Sequence, residues 1–182
     1  MYLECIEMEK LINSIELINR KMAKLAGWAA LTMVFCQVFS VVARYVFSYG
    51  ISSVQEVVIY GHATLFLFGA AFLLQINQHV RVDIFYAMFS HARRRVVDIV
   101  AMLCFVLPVS TVIAMTAWVY VANSWGAFEG SPQAGGIPAI FLLKTCILIF
   151  AVSVGLQALA TTVKLFTSDE RSPWILPNEE VE

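Results

Sequence analysis

The chain has 182 residues and a formal net charge of -1, but 60% of its residues are hydrophobic and only 14% are charged. A soluble domain of this length has too little interior to bury so much apolar surface, so the composition excludes an ordinary soluble fold and indicates a membrane protein. The nearly neutral charge also gives no support for nucleic-acid binding.

Residues 1–24 predict an amphipathic helix. Apolar residues recur at three- and four-residue steps, and Glu, Asn, Lys and Arg fill the opposite side. The apolar positions are Met8, Leu11, Ile15, Ile18, Met22 and Leu25. We expect this helix to lie in the membrane plane and to lead into the first span. Its apolar stripe suits either lipid or a partner subunit, and the pattern does not separate the two. No small-x-small cleavage site follows, so we predict an uncleaved anchor.

Four uncharged runs are long enough to cross the roughly 30 Å hydrocarbon layer of a bilayer. They are Leu25 to Ala43, Val57 to Ile76, Ile99 to Phe128 and Thr145 to Val163. Because lipid offers no partner for backbone polar groups, each run should be helical. We therefore predict an all-α membrane domain over residues 25–166, with spans at about 25–47, 55–77, 96–126 and 138–165. Pro108 predicts a kink in the third span. The Pro-containing acidic segment 167–182 predicts a loose tail.

The connection between the second and third spans predicts a short interfacial helix. Asp83 can cap it, and the arginines 93–95 then follow toward its C-terminal end, where cations suit the helix dipole. The apolar residues that share one face of this helix are Ile84, Phe85, Met88 and Phe89. We expect the helix to lie along the membrane surface.

The basic residues predict the orientation of the chain. They concentrate before the first span and between the second and third, at Lys10, Arg20, Lys21, Lys24, Arg81, Arg93, Arg94 and Arg95. The basic residues of the other two connections are Arg44 and Lys144, each near a helix end. Since Lys and Arg accumulate in cytoplasmic loops, both termini are predicted to be cytoplasmic, with the basic residues near anionic lipid headgroups.

The sequence predicts no catalytic residue, metal site or cofactor. The central parts of the four runs lack charged residues, and His62 is the only histidine inside a span. Some polar residues suit hydrogen bonds between helices, namely Gln37, Thr64, Thr111, Thr116 and Gln157, and Ala151 with Gly155 permits close helix approach. Two alternatives stay open at this point: a small redox membrane anchor that uses His62, and a free-standing membrane adaptor.

Several motifs together resemble those of the DctQ-type small permease subunit of tripartite ATP-independent periplasmic (TRAP) transporters. They cover about residues 28–164 and are Arg44-Tyr45-Val46-Phe47, Glu56, Phe68-Gly69-Ala70-Ala71, His79-Val80-Arg81-Val82-Asp83 and the loop from Ser131-Pro132 through Gly135-Gly136-Ile137-Pro138. The chain departs from the usual Trp-x-Glu-Glu pattern, since it reads Ser53-Val54-Gln55-Glu56 there.

The resemblance implies a non-catalytic scaffold subunit in the bacterial inner membrane. Its implied partners are a large elevator-type membrane subunit of the DctM type, which carries substrate and sodium sites, and a periplasmic substrate-binding protein of the DctP type. The imported substrate would be a small organic anion. By this analogy, the candidates for intersubunit or lipid-headgroup contacts are Arg44, Glu56, Arg81, Asp83 and Lys144. The loop with Ser131, Pro132, Gly135, Gly136 and Pro138 should face the periplasm, where it either meets the binding protein or serves only as a turn.

Overall fold

A computed structural model describes residues 2–79 and 88–167, apart from the side chains of residues 2–5 and of His91. The helices are α1 (Tyr2–Phe47), α2 (Ser52–Gln75), α3 (His91–Ala101), α4 (Leu107–Gly126) and α5 (Ile140–Thr167). A π-helical turn at Met102–Val106 joins α3 to α4. No strand occurs in the described ranges. The predicted tail at 168–182 lies outside them.

The predicted number of helices long and apolar enough to span a membrane is confirmed. Four helices are long and apolar enough to cross a bilayer, over Ile6–Phe47, Ser52–Gln75, Ala92–Gly126 and Ile140–Thr167. The third of these comprises α3, the π turn and α4, which continue one another without a loop. The chain therefore has the predicted all-α membrane architecture, since each span satisfies its backbone hydrogen bonds internally.

Helix α1 contains both the predicted amphipathic helix and the first span. It runs through 46 residues, or about 69 Å, without a break near residue 24. The side chains become more apolar after residue 24, but this change in polarity does not interrupt the backbone hydrogen bonds of the helix. Glu16 and Asn19, on the polar side, are buried at 9% and 1% exposure, whereas Leu11 and Ile18, on the apolar stripe, are 63% and 56% exposed.

The spans pack as antiparallel pairs through small residues. In α1 and α2, the Gly61 position lies against Met33 and the Ala29 carbonyl, and an added Cβ would be 3.1 and 3.2 Å from them. In α4 and α5, an added Cβ at Gly155 would be 3.0 Å from Ser110 Oγ, as the predicted Ala151 and Gly155 pair requires. We call the end of the bundle that carries residues 48–51 and 127–139 the loop end, and the opposite end the terminal end.

The backbone departs from α-helical geometry in the turn before Pro108, where the sequence predicts a kink. Leu107 N–H donates to the Met102 carbonyl, five residues earlier, at the end of the π turn. Pro108 has no N–H, so a regular α-helical bond at this position cannot form, and the wider π turn accommodates the loss. The hydroxyls of Ser110 and Thr111 both donate to the Leu107 carbonyl, at 2.9 and 2.8 Å.

Most of the predicted interfacial helix, with Asp83, Ile84 and Phe85, lies outside the described residues, but the arginines 93–95 do not lie at its C-terminal end as predicted. Residues 88–90 are not helical, and α3 begins at His91, so these arginines lie in its first turns. Arg94 Nε donates to the Phe89 carbonyl (3.0 Å), and Arg95 Nη2 donates to the Phe166 carbonyl (3.1 Å) near the end of α5. Arg95 thus complements the negative end of α5 rather than that of its own helix.

Candidate functional site

At the loop end, the carboxylate of Glu56 is buried under the connection between α4 and α5. Its side chain belongs to the first turns of α2, and the residue is 6% exposed. Ser131 Oγ donates to Oε1 of Glu56, and the Ile137 N–H donates to Oε2 at 2.5 Å. Both oxygens of this carboxylate are therefore used to hold residues 131–137 on the end of α2.

The loop is shaped to fit this carboxylate. A Cβ added at Gly136 would overlap Ser131 Oγ and lie 2.5 Å from Glu56 Oε1, so any larger residue would displace these two side chains. Gly135 has a φ of 76°, a conformation that suits glycine. Of the predicted periplasmic-loop residues, Ser131 and Gly136 thus lie against Glu56, and Pro132, Gly135 and Pro138 belong to the same loop.

A second polar group at the loop end pairs Glu129 with Lys144 of α5. Lys144 Nζ donates to Glu129 Oε2 at 2.5 Å, and Ser124 Oγ donates to the same oxygen at 2.7 Å. The Lys144 ammonium also lies 3.9 Å from the centroid of the Tyr120 ring, in cation–π geometry. Lys144 therefore ties the loop to α4 and α5 within this chain.

The pKa of Glu129 is lowered from its ordinary value, because the Lys144 ammonium and the Ser124 hydroxyl donate to its carboxylate. Since the folded-state pKa lies below that of the unfolded chain, the pair contributes stability above the ordinary glutamate pKa. That contribution is lost as the pH falls through the lowered folded-state pKa. We expect an infrared difference spectrum of the wild type against Glu129→Gln to show a carboxylate band that persists below the ordinary range. Lys144→Met should move its titration upward, and an unchanged midpoint would contradict this assignment.

The remaining candidates for intersubunit or lipid contacts are placed differently. Arg44 lies in the last turn of α1 and is exposed, where its charge complements the helix dipole. Arg81 and Asp83 lie outside the described residues. Of the predicted topology-setting residues, Arg20 is exposed and adjoins Gln75 at the terminal end; Lys21, Lys24 and Arg93 are also exposed.

A buried polar group at the terminal end joins α1, α2 and α5. Lys164 of α5 forms an ion pair with Glu16 of α1. Asn19 Nδ2 donates to Gln157 Oε1 at 2.7 Å, and Gln157 Nε2 donates to Thr161 Oγ1 at 3.3 Å; Asn19, Gln157 and Thr161 are all at most 1% exposed. This terminal-end cluster fixes the rotation of α1 against α5, because the polar side of α1 has its hydrogen-bonding partners there.

The Gln75 amide extends the terminal-end cluster to α2. With its nitrogen toward α1, it donates to the Glu16 carbonyl at 3.3 Å, and its oxygen accepts from Arg20 Nε at 3.2 Å. The amide orientation is the one that satisfies both groups. Three helices are therefore linked at this end by side-chain hydrogen bonds.

The sequence pattern did not indicate Glu16 and Asn19 as packing residues, and it indicated only part of the hydrogen bonding between helices. Gln157 bonds between helices as predicted. The hydroxyls of Thr111 and Thr116 instead donate to backbone carbonyls of their own helices. Thr64 donates to the Tyr60 carbonyl of its own helix and is also a hydrogen-bonding partner of Cys146 of α5. The position of Asn19 on the polar side of α1 was visible in the sequence. Its partner Gln157 was not, because that contact depends on how α1 crosses α5.

The described residues contain no group of three or more His, Cys, Asp or Glu side chains placed to hold a metal ion. The ion pairs and the buried Glu56 carboxylate lie instead toward the two ends of the bundle. A comparison with protein-family models matches residues 31–168 to the DctQ component of tripartite ATP-independent periplasmic transporters. The chain belongs to the DctQ family. As a member, it is a small permease subunit of a TRAP transporter and a multi-pass membrane protein.

The DctQ match includes the loop-end residues, Gln157 and Lys164 but begins after Glu16 and Asn19. The terminal-end cluster therefore joins the DctQ region to the part of α1 that precedes it. No curated protein and no solved structure showed significant similarity to the chain.

Proposed function

We propose that this chain is the non-catalytic scaffold subunit of a sodium-coupled, binding-protein-dependent importer of small organic anions, such as carboxylates, oxo acids or sulfonates. Its partners are a large elevator-type membrane subunit of the DctM type and a periplasmic binding protein of the DctP type. The observation that carries the proposal is that a DctQ member uses its buried charged groups to join its own helices. Such groups serve the rigidity of a scaffold, whereas substrate and sodium sites belong to the larger subunit.

The proposed location is the bacterial inner membrane, with both termini in the cytoplasm and the loop end in the periplasm. The basic residues Arg20, Lys21, Lys24 and Arg93 to Arg95 support this orientation, since they lie in the parts of α1 and α3 that adjoin the terminal end. They would face anionic lipid headgroups there. In a variant with the four native cysteines replaced, an impermeant maleimide should label Gln133→Cys from the periplasm and Lys21→Cys only in inverted vesicles. The reverse pattern would contradict the orientation.

The transport role is tested by reconstitution. Proteoliposomes that contain this chain alone should show no sodium-driven uptake, whereas uptake should require the large membrane subunit and its binding protein. Copurification of the tagged chain with the large subunit in mild detergent is the corresponding binding test. Sodium-driven uptake by the chain alone would contradict the proposal.

A further inference from the structure

One exposed face of α2 differs in chemistry from an ordinary lipid-facing surface. It consists of residues at alternating three- and four-residue steps: Ile59, His62, Phe66, Gly69 and Leu73. We call this set the α2 seam. Its large apolar members are between 41% and 63% exposed. Steps of three and four residues keep side chains on one line along a helix, which is the pattern of a helix that packs against another helix.

His62 is the first unusual member of the α2 seam. It lies ten residues after Ser52 and thirteen before Gln75, so it is about 15 and 20 Å along α2 from the two ends. Its side chain is exposed, and its ring contacts that of Phe66 at a centroid separation of 4.6 Å. No hydrogen bond of the His62 ring to another described residue occurs. Hydrocarbon chains offer no hydrogen-bonding partner, so a protein helix with a polar group satisfies this ring better than lipid does.

Gly69 is the second unusual member, because it places a small residue on the same line as His62. A Cβ added at Gly69 would meet nothing within 4 Å, so no contact within the chain requires a glycine there. Gly61, on another side of α2, shows the opposite case, because its added Cβ would press on Met33 and the Ala29 carbonyl. Small residues at membrane helix interfaces allow two backbones to approach closely. Gly27 of α1 has equally open surroundings, but α1 contains no histidine, whereas Gly69 lies on the same line of α2 as His62 and therefore suits a partner helix from outside the chain.

We propose that the α2 seam is the surface that binds the large membrane subunit, with His62 hydrogen-bonded to a polar side chain of that subunit and Gly69 at the closest backbone approach. The inference rests on the proposed function for the identity of the partner. It goes beyond that function by assigning the face of the bundle and the two side chains that recognise the partner.

The first experiment measures how much co-expressed large subunit is recovered with the tagged chain in mild detergent. Gly69→Leu and His62→Phe should each reduce recovery by about fivefold or more, the effect of losing one good interaction. His62→Gln, which keeps a hydrogen-bonding group, should recover more than His62→Phe. Gly27→Leu is the matched control, because an added Cβ at Gly27 of α1 also meets nothing within 4 Å. It should recover the wild-type amount.

Gly69→Leu should leave the isolated chain as thermally stable as the wild type, whereas Gly61→Leu should destabilise it through α1. This comparison separates loss of the interface from loss of the fold. If Gly69→Leu and His62→Phe both recover the wild-type amount of large subunit, the α2 seam is not the binding surface, and the proposed function is unaffected. Failure of the wild-type chain to bind any large subunit would overturn both.

A photoreactive benzoylphenylalanine at Phe66 identifies what covers the α2 seam. We expect an adduct with the large subunit from this position and none from Trp118, which is 64% exposed on α4. An adduct between two copies of the chain, or with lipid alone, would overturn the assignment of the partner.

Discussion

Replacing Glu56 with alanine is expected to release the loop at residues 131–137 from the end of α2. The change leaves the Ser131 hydroxyl and the Ile137 N–H without their acceptor in a buried site. Hydrogen bonds to a charged group contribute about 1.5–3 kcal/mol each, and a buried donor without a partner adds a further cost. Hydrogen exchange at Gly136 and Ile137 should therefore accelerate strongly, and the thermal midpoint in detergent should fall.

Glu129→Ala is the matched control for this prediction. The Glu129 side chain is 42% exposed, and its partner Lys144 has a long stem that can reach the headgroup region when the carboxylate is absent. We expect a smaller loss of stability than for Glu56→Ala. Recovery of the large subunit should follow the same order. Equal recovery from the two variants would reject this order.

Gly136→Ala tests the mechanism without removing a charge. Its Cβ would displace the Glu56 carboxylate, so the variant should reproduce the loss of exchange protection seen with Glu56→Ala. Gly130→Ala is the control in the same loop, because its Cβ would make ordinary contacts of 3.5 and 3.6 Å with Pro138. If the Ile137 N–H is as protected from exchange in Glu56→Ala and Gly136→Ala as in the wild type, Glu56 does not hold the loop through this geometry.

The spans were predictable from sequence because their main determinant is local. A helix satisfies its own backbone hydrogen bonds, so a long uncharged run is sufficient to predict it. The π turn before Pro108 is also a local effect, and the sequence predicted an irregularity at that place. The partner of Arg95 was not predictable in this way. Arg95 binds the Phe166 carbonyl, a contact between residues 71 positions apart, so local helix-dipole reasoning assigned its charge to the wrong helix.

The polar clusters could not be predicted from the sequence because their partners depend on tertiary contacts. Glu56 is visible in the sequence as an acid near a helix start, but its burial depends on how residues 131–137 fold over it. The same holds for α1. In a soluble protein the stripe with Leu11 and Ile18 would turn inward, whereas here Glu16 and Asn19 face α5 and the stripe faces outward. The hydrophobic pattern gives the two sides of a helix, and the surrounding medium decides which side is buried.

The two partners of the ion pair at the terminal end are expected to differ in how much stability is lost when each is replaced. Lys164→Met leaves the Glu16 carboxylate, whose side chain is only 12% exposed, without its cation in a nearly buried position. Glu16→Met leaves Lys164, which is 33% exposed and can extend its stem toward the headgroups. Breaking a buried pair from one side costs about 3 kcal/mol or more, and exposed pairs contribute much less. The loss of stability should therefore be larger for Lys164→Met than for Glu16→Met.

The double variant Glu16→Met with Lys164→Met decides whether the penalty comes from an unpaired charge. Replacing both partners with apolar side chains removes the buried charge, so the double variant should be more stable than Lys164→Met alone. Unfolding in mixed detergent with increasing dodecyl sulfate measures all three variants. Lys24→Met, at an exposed position of α1, is the control for loss of a positive charge and should be close to wild type. Additive losses in the double variant would show that Glu16 and Lys164 do not act as a pair and that α1 is held on α5 by other contacts.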